Sequence, residues 1–207
     1  MVDINSNILQ LPIDEAKLEL AKLEDRGYSH VILVYPVLID GEYEFPEIIN
    51  KFNQLKEDVK TIDLMLGNLI YYHSSMLHRL KKKQVLTLNN SNYILLTLPC
   101  DAKPKLLKQA IIELEDYQII LSQPHQCSYY HYKELVELKE MGVKFLITYE
   151  DIKYRLVRKL LKKHMIDFIA SGLGKNIELH KRFKKLISEE YSQKIVRVNY
   201  NQIIHKP

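Results

Sequence analysis

Cysteine is scarce in this chain: 207 residues hold two, Cys100 and Cys127. Neither stands in a spacing that builds a zinc site, and the two need not be bonded. The expectation is a reduced, cytoplasmic protein. Glycine and proline are also few, six and seven, and no low-complexity run or linker rich in Gly, Ser or Pro divides the chain. Neither a disordered region nor a pair of tethered domains is therefore expected. No apolar run approaches the roughly 18 residues that a membrane span needs. No basic stretch followed by an apolar segment opens the sequence, so secretion is not expected either. Glycine-rich phosphate loops are missing as well: GLGKN (172–176) lacks the preceding Gly and the following Ser or Thr.

What is present is a globular composition, 46% hydrophobic and 27% charged. The formal net charge is +4, and much of it falls late, at Arg155, Arg158, Lys159, Lys162 and Lys163, then Lys181, Arg182, Lys184 and Lys185. A cluster of this kind can bind nucleic acid. Here the basic residues interleave with Leu156, Val157, Leu160 and Leu161 at helical spacing, which describes the solvated back of an amphipathic helix. Nucleic acid is not the expected partner.

Strand-like and helix-like segments alternate. Strands are read at 2–9, 29–35, 61–72, 92–99, 118–124, 144–149 and 166–171. Helices are read at 14–27, 45–59, 103–116, 131–142, 151–164 and 176–191, and a last apolar piece, KIVRVN, leads into the tail. Asp14 is the expected N-cap of the first helix and Gly27 its terminator. Short, nearly continuous apolar runs such as SHVILVY mark strands buried on both faces. Separated by single helices, they imply a parallel sheet. The expected architecture is one α/β domain over 1–207, a (β/α)7-type barrel, with an open doubly wound sheet as the alternative.

In either architecture chemistry belongs at the carboxyl ends of the strands. The residues read there are Asn5, Asn7, Tyr35, Pro36, Asn68, Leu69, Pro99, Gln123, His125, Thr148, Tyr149, Gly172 and Gly174. Among them only His125 is a good metal ligand or general base, and no carboxylate appears. Asn5 and Asn7 stand at i and i+2 of the first strand and so share a face, but a neutral amide is a weak metal donor.

The order of these residues resembles the polymerase-and-histidinol-phosphatase (PHP) superfamily, in its branch of manganese-dependent bacterial protein-tyrosine phosphatases of capsular and exopolysaccharide biosynthesis. MVDINSNIL is similar to that family's opening Met-Ile-Asp-Ile-His-x-His-Ile, with both His replaced, by Asn5 and Asn7. Of its following Asp-Asp-Gly loop, Asp14 remains. NLIYY (68–72), LTLNNSNYILL (86–96) and FIASGLG (168–174) resemble its Glu-Ile-Tyr-Tyr, Pro-Thr-Leu-Asn-Asp-Ser-Arg-Tyr-x-Leu-Ile and Val-Ile-Ala-Ser-Asp-x-His.

Carried over position by position, the resemblance puts the family's metal ligands on Asn5, Asn7, Pro36, Leu69, Gln123, Gly172 and Gly174. Around 123–126 the correspondence can slip by one residue, which would leave His125 as a surviving ligand. The resemblance thus implies a PHP barrel without its metal cluster: no catalytic residue, no metal ligand, no cofactor, although its relatives use manganese or other divalent metals. It implies a binding or regulatory protein whose degenerate pocket comprises Asn5, Asn7, Asp14, Pro36, Asn68, Leu69, Gln123, His125, Gly172 and Gly174. Asn5 and Asn7 are expected to point into that pocket, with Leu69 and Gln123 across from them. The implied partner is the tail of a bacterial tyrosine kinase or a working phosphatase paralogue; self-association stays open. Two alternatives stand beside it: an atypical phosphatase or phosphoesterase using His125 with Asp14, and a basic-surface nucleic-acid binder. A cysteine phosphatase is excluded, because SYYHY follows Cys127 where Cys-x5-Arg would be needed.

Overall fold

The computed structural model describes residues 1–5, 8–37, 45–73, 75–82, 84–171, 183 and 185–205, without the side chains of Asn5 and Phe45. Seven strands run in chain order through one sheet: β1 (Val2–Asn5), β2 (His30–Val37), β3 (Asp63–Tyr71), β4 (Tyr93–Thr97), β5 (Gln118–Ser122), β6 (Lys144–Thr148) and β7 (Phe168–Ala170). Every neighbouring pair is parallel. Between them lie α1 (Ile13–Asp25), α2 (Phe45–Asp58), α3 (Met76–Lys81), α4 (Leu107–Glu113), α5 (Tyr132–Glu140) and α6 (Arg155–Lys162). The expected barrel is what forms, and it is nearly closed.

Alternation along the strands sorts the core into an inner and an outer layer. Val2 and Ile4, Ile32 and Val34, Met65, Tyr93 and Leu95, Ile120, Leu146, Phe168 and Ala170 pack with one another inside the barrel. Their sequence neighbours, such as Val31, Leu33 and Leu64 or Ile94, Leu96 and Ile119, meet the helices instead. A strand buried on both faces must be apolar at odd and even positions alike, which is why these segments read as unbroken runs.

Two seams depart from regular pairing. Between β3 and β4 the ladder begins only at Leu69↔Leu95, and below it the chain at 86–90 fills the wall. There the Asn68 N–H donates to Leu86 O at 3.2 Å, and Leu86 N–H donates to Asn68 Oδ1 at 2.6 Å. Gly67 makes room for this segment, since a Cβ there would lie 2.7 Å from Leu88 Cδ2 and 3.1 Å from Leu88 Cα. Between β1 and β7 no ladder is formed among the described residues. Asp3, fully buried, ties that seam: its carboxylate accepts the N–H and the hydroxyl of Ser171, each at 2.6 Å.

The amino-terminal end of the barrel is stoppered by the chain's last helical stretch. α7 (Glu189–Gln193) continues through a π turn (Lys194–Val198) into α8 (Asn199–Ile204). KIVRVN is therefore helical, despite its β-branched residues, because Ile195 is fully buried in the helix-facing core and Tyr200 and Ile203 in the barrel interior. Tyr200 stacks edge-on against Phe168 and donates its hydroxyl to Ile169 O at 2.9 Å. Asn89, in the segment that fills the β3–β4 gap, donates to Ile203 O and Ile204 O and so caps this helix.

Other boundaries move by identifiable causes. The first strand stops at Asn5 rather than at residue 9, and Ile8–Gln10 is a 3-10 turn. Pro12, not Asp14, precedes the first helical residue, and Asp14 lies exposed in the first turn. Gly27 and Gly142, at φ +81° and +88°, terminate α1 and α5 as expected. The helix read over 151–164 is two pieces, a 3-10 turn (Tyr149–Lys153) and α6. In α6, Val157, Leu160 and Leu161 are buried, and Arg158 donates to the carbonyls of Ile152 and Lys153. No helix among the described residues is long and apolar enough to cross a membrane.

Candidate functional site

At the carboxyl rim, β2 and β3 end side by side, and Pro36 pairs with Leu69 in the ladder. Alternation from Ile32 and Val34 puts Pro36 on the inner face, and Leu69 packs against the inner cluster. Among the described residues β1 pairs with β2 only as far as Leu33, so no described neighbour on that side requires the N–H that proline lacks. Two side chains without a donor atom thus stand next to each other at positions where the resemblance puts metal ligands.

Asn68, the residue before, is buried at 2% exposure. Besides accepting from Leu86 N–H, its amide donates to Tyr35 O at 3.3 Å. Both ends of the Asn68 amide, expected at the pocket, are therefore engaged within the wall: Oδ1 with Leu86 in the β3–β4 gap and Nδ2 with Tyr35 of β2. Asp14 is exposed and makes no hydrogen bond or ion pair with His125 among the described residues.

The carboxylate that His125 does meet is Asp151. The reading that the rim carries no carboxylate is overturned by this residue. Gln123 takes the left-handed conformation, at φ +46°, and leads into a 3-10 turn at Pro124–Gln126 that carries His125. Asp151 lies in the 3-10 turn after β6 and accepts from Thr148 N–H at 2.7 Å, Thr148 Oγ1 at 3.0 Å and Gln123 Nε2 at 3.0 Å. His125 Nε2 stands 3.1 Å from Asp151 Oδ1, too poorly aligned for a good hydrogen bond, so the contact is chiefly electrostatic. Neither ring nitrogen of His125 has a well-aligned partner among the described residues. The ring packs against Tyr154, centroids 5.0 Å apart.

Burial by itself would raise the Asp151 pKa. The neighbouring His125 and the Thr148 and Gln123 donors outweigh it and leave the carboxyl below its ordinary value. A sequence signal for the arrangement exists: Thr148-Tyr149-Glu150-Asp151 has the Thr-x-x-acid spacing of a capping box, and both of its reciprocal hydrogen bonds are made.

These donors do not fit a metal cluster. Pro36 and Leu69 have no donor atom, Gln123 is committed to Asp151, and His125 is sealed in with that carboxylate. No group of three or more His, Cys, Asp or Glu among the described residues could hold a metal ion. Asn7, Gly172, Gly174 and the Asn5 side chain lie outside the described residues, and with them the expected common direction of Asn5 and Asn7.

Seven parallel strands in a nearly closed barrel, with helices between them, make the PHP-type barrel fold. The family model for capsular polysaccharide synthesis, CpsB/CapC, matches residues 40–205, and the chain belongs to that family. It is 26% identical over 140 residues to the tyrosine-protein phosphatase YwqE of Bacillus subtilis, a match covering 61% of this chain and 55% of that protein. To the tyrosine-protein phosphatase CpsB of Streptococcus agalactiae it is 31% identical over 108 residues, covering 46% of this chain and 44% of that one. These matches span about half the length of the curated relatives. In structure it resembles the metal-dependent tyrosine phosphatases YwqE of B. subtilis and CpsB of Streptococcus pneumoniae, with a TM-score of 0.81 at 22% identity over 100% of this chain and 96% of the other. It resembles the inactive dihydroorotase-like domain of a Chaetomium thermophilum multifunctional protein more distantly, at a TM-score of 0.59 and 11% identity, over 100% of this chain and 79% of that domain.

Proposed function

We propose that this chain is a catalytically inactive member of the CpsB/CapC family, acting by binding rather than by hydrolysis in capsular or exopolysaccharide biosynthesis. The observation that carries the reading is the ladder pair Pro36↔Leu69. A metal-dependent phosphatase needs charged or imidazole donors converging at the rim to hold its ions and to activate water. Here an inward proline and an inward leucine stand where the resemblance puts two of those donors, and neither can be recruited by a change of rotamer.

The partner class follows from the family: the phosphorylated tail of a bacterial tyrosine kinase, or a phosphatase paralogue that this chain would regulate. Without metal, recognition of a phosphoryl group would rest on amide and backbone donors. The second reading, an atypical phosphoesterase, has one observation in its favour, the His125–Asp151 contact. Its weakness is access: the His125 side chain is 1% exposed and the Asp151 side chain 5%.

Purified protein assayed with para-nitrophenyl phosphate and with a phosphotyrosine peptide, in the presence of manganese, should show no hydrolysis above background. Turnover that is lost on His125→Ala would establish the atypical enzyme instead. Retained binding of the phosphopeptide over its unphosphorylated form would support the regulatory role.

A further inference from the structure

Cys100 follows β4 and Cys127 follows β5, so two adjacent exits from the barrel each carry one thiol. Their sulfurs stand 2.7 Å apart. That is closer than two thiolates sharing a zinc ion, which sit roughly 3.7 Å apart at tetrahedral bond lengths, and no third ligand is placed to complete such a site among the described residues. It is roughly 0.7 Å short of a sulfur–sulfur bond. The surroundings hold both residues in place. Cys100 Sγ lies 3.7 Å from Leu98 O, and Cys127 Sγ lies 3.9 Å from the carbonyls of Leu98 and Pro99. The Tyr129 hydroxyl donates to Pro99 O.

We propose that Cys100 and Cys127 form a redox site, closing to an intramolecular disulfide under a peroxide oxidant. The two thiols have unequal exposure: Cys100 is exposed and Cys127 buried. Burial, reinforced by the neighbouring Cys100, pushes the Cys127 thiol up to about 12, so it is a poor nucleophile toward dissolved oxidant. Cys100 is therefore the residue attacked. Its thiolate takes one oxygen from hydrogen peroxide, giving a sulfenic acid and releasing hydroxide. The Cys127 sulfur then displaces the sulfenic oxygen, which leaves as water with the Cys127 proton, and the hydroxide takes up the proton that Cys100 lost. The sum is two thiols and one peroxide giving one disulfide and two waters. The bond would join the β4 and β5 exits two residues beyond His125.

The test uses the full chain treated with a small excess of hydrogen peroxide. Intact mass should fall by two hydrogens, reactive thiols should drop from two to none, and a peptide pair containing Cys100 and Cys127 should appear only without reductant. Closing a loop of this length should raise the melting temperature by about 5–10 °C, reversed by dithiothreitol. In Cys127→Ser, peroxide should leave Cys100 as a trappable sulfenic acid; in Cys100→Ser, Cys127 should stay a thiol. Overturning results are Cys100 over-oxidised in the wild type while Cys127 remains reduced, or a disulfide that links two copies of the chain.

Discussion

His125 Nε2 lies 3.1 Å from Asp151 Oδ1, with both side chains nearly sealed from water. Asp151 also receives Thr148 and Gln123, so one carboxylate joins the loop after β5 to the loop after β6. Asp151→Ala should cost about 2–3 kcal/mol in urea unfolding, through a lost cap and an orphaned buried N–H.

The same carboxyl sets a pH dependence. Its pKa is depressed in the folded state, so the stability it adds is complete above its unfolded value of about 4 and is lost as pH falls below that. Asp151→Asn should flatten the melting temperature between pH 5 and about pH 3 relative to wild type. An unchanged acid slope would show that other carboxylates govern it.

Asp3 ties β1 to Ser171 beyond β7 through two 2.6 Å hydrogen bonds. Asp3→Ala should destabilise by about 2–3 kcal/mol. Hydrogen exchange should locate the loosening at the amides of β7, where the barrel has no ladder to β1 among the described residues.

Gly67→Ala would drive a methyl group onto Leu88, including its Cα. The expected loss is about 1–3 kcal/mol, and the paired variant Gly67→Ala with Leu88→Ala should not regain full stability, because the backbone contact persists.

On the proposed reading the strand ends are held without metal, and such a barrel gains nothing from one by mass action. Chelation should leave the melting temperature unchanged, and manganese should not raise it. The double substitution Asn5→His and Asn7→His should yield no manganese-dependent phosphatase activity, since Pro36 and Leu69 remain. Activity in that variant would show that a site can be assembled around them.

Sequence alone determined the parallel β/α alternation, with the barrel expected and the open doubly wound sheet left beside it. Runs such as Val31–Val34 are apolar at every position, a pattern that only a strand buried on both faces requires, and single helices between such runs dictate parallel pairing. That Pro36 and Leu69 carry no donor atom was legible too, because no fold can turn a proline or a leucine into a ligand. Tertiary structure decided what depends on residues far apart in the chain. Asn68 reads as a rim amide until Leu86 occupies it, and KIVRVN reads as an undefined tail until the barrel's open end gives Tyr200 and Ile203 a place to be buried. Asp151 reads as the start of a helix, because the sequence does not reveal that two neighbouring strand exits bring Gln123 and His125 to the same carboxylate. Apolar periodicity is a local property and survives in one dimension; the partner of a buried polar group is set by the register of the sheet.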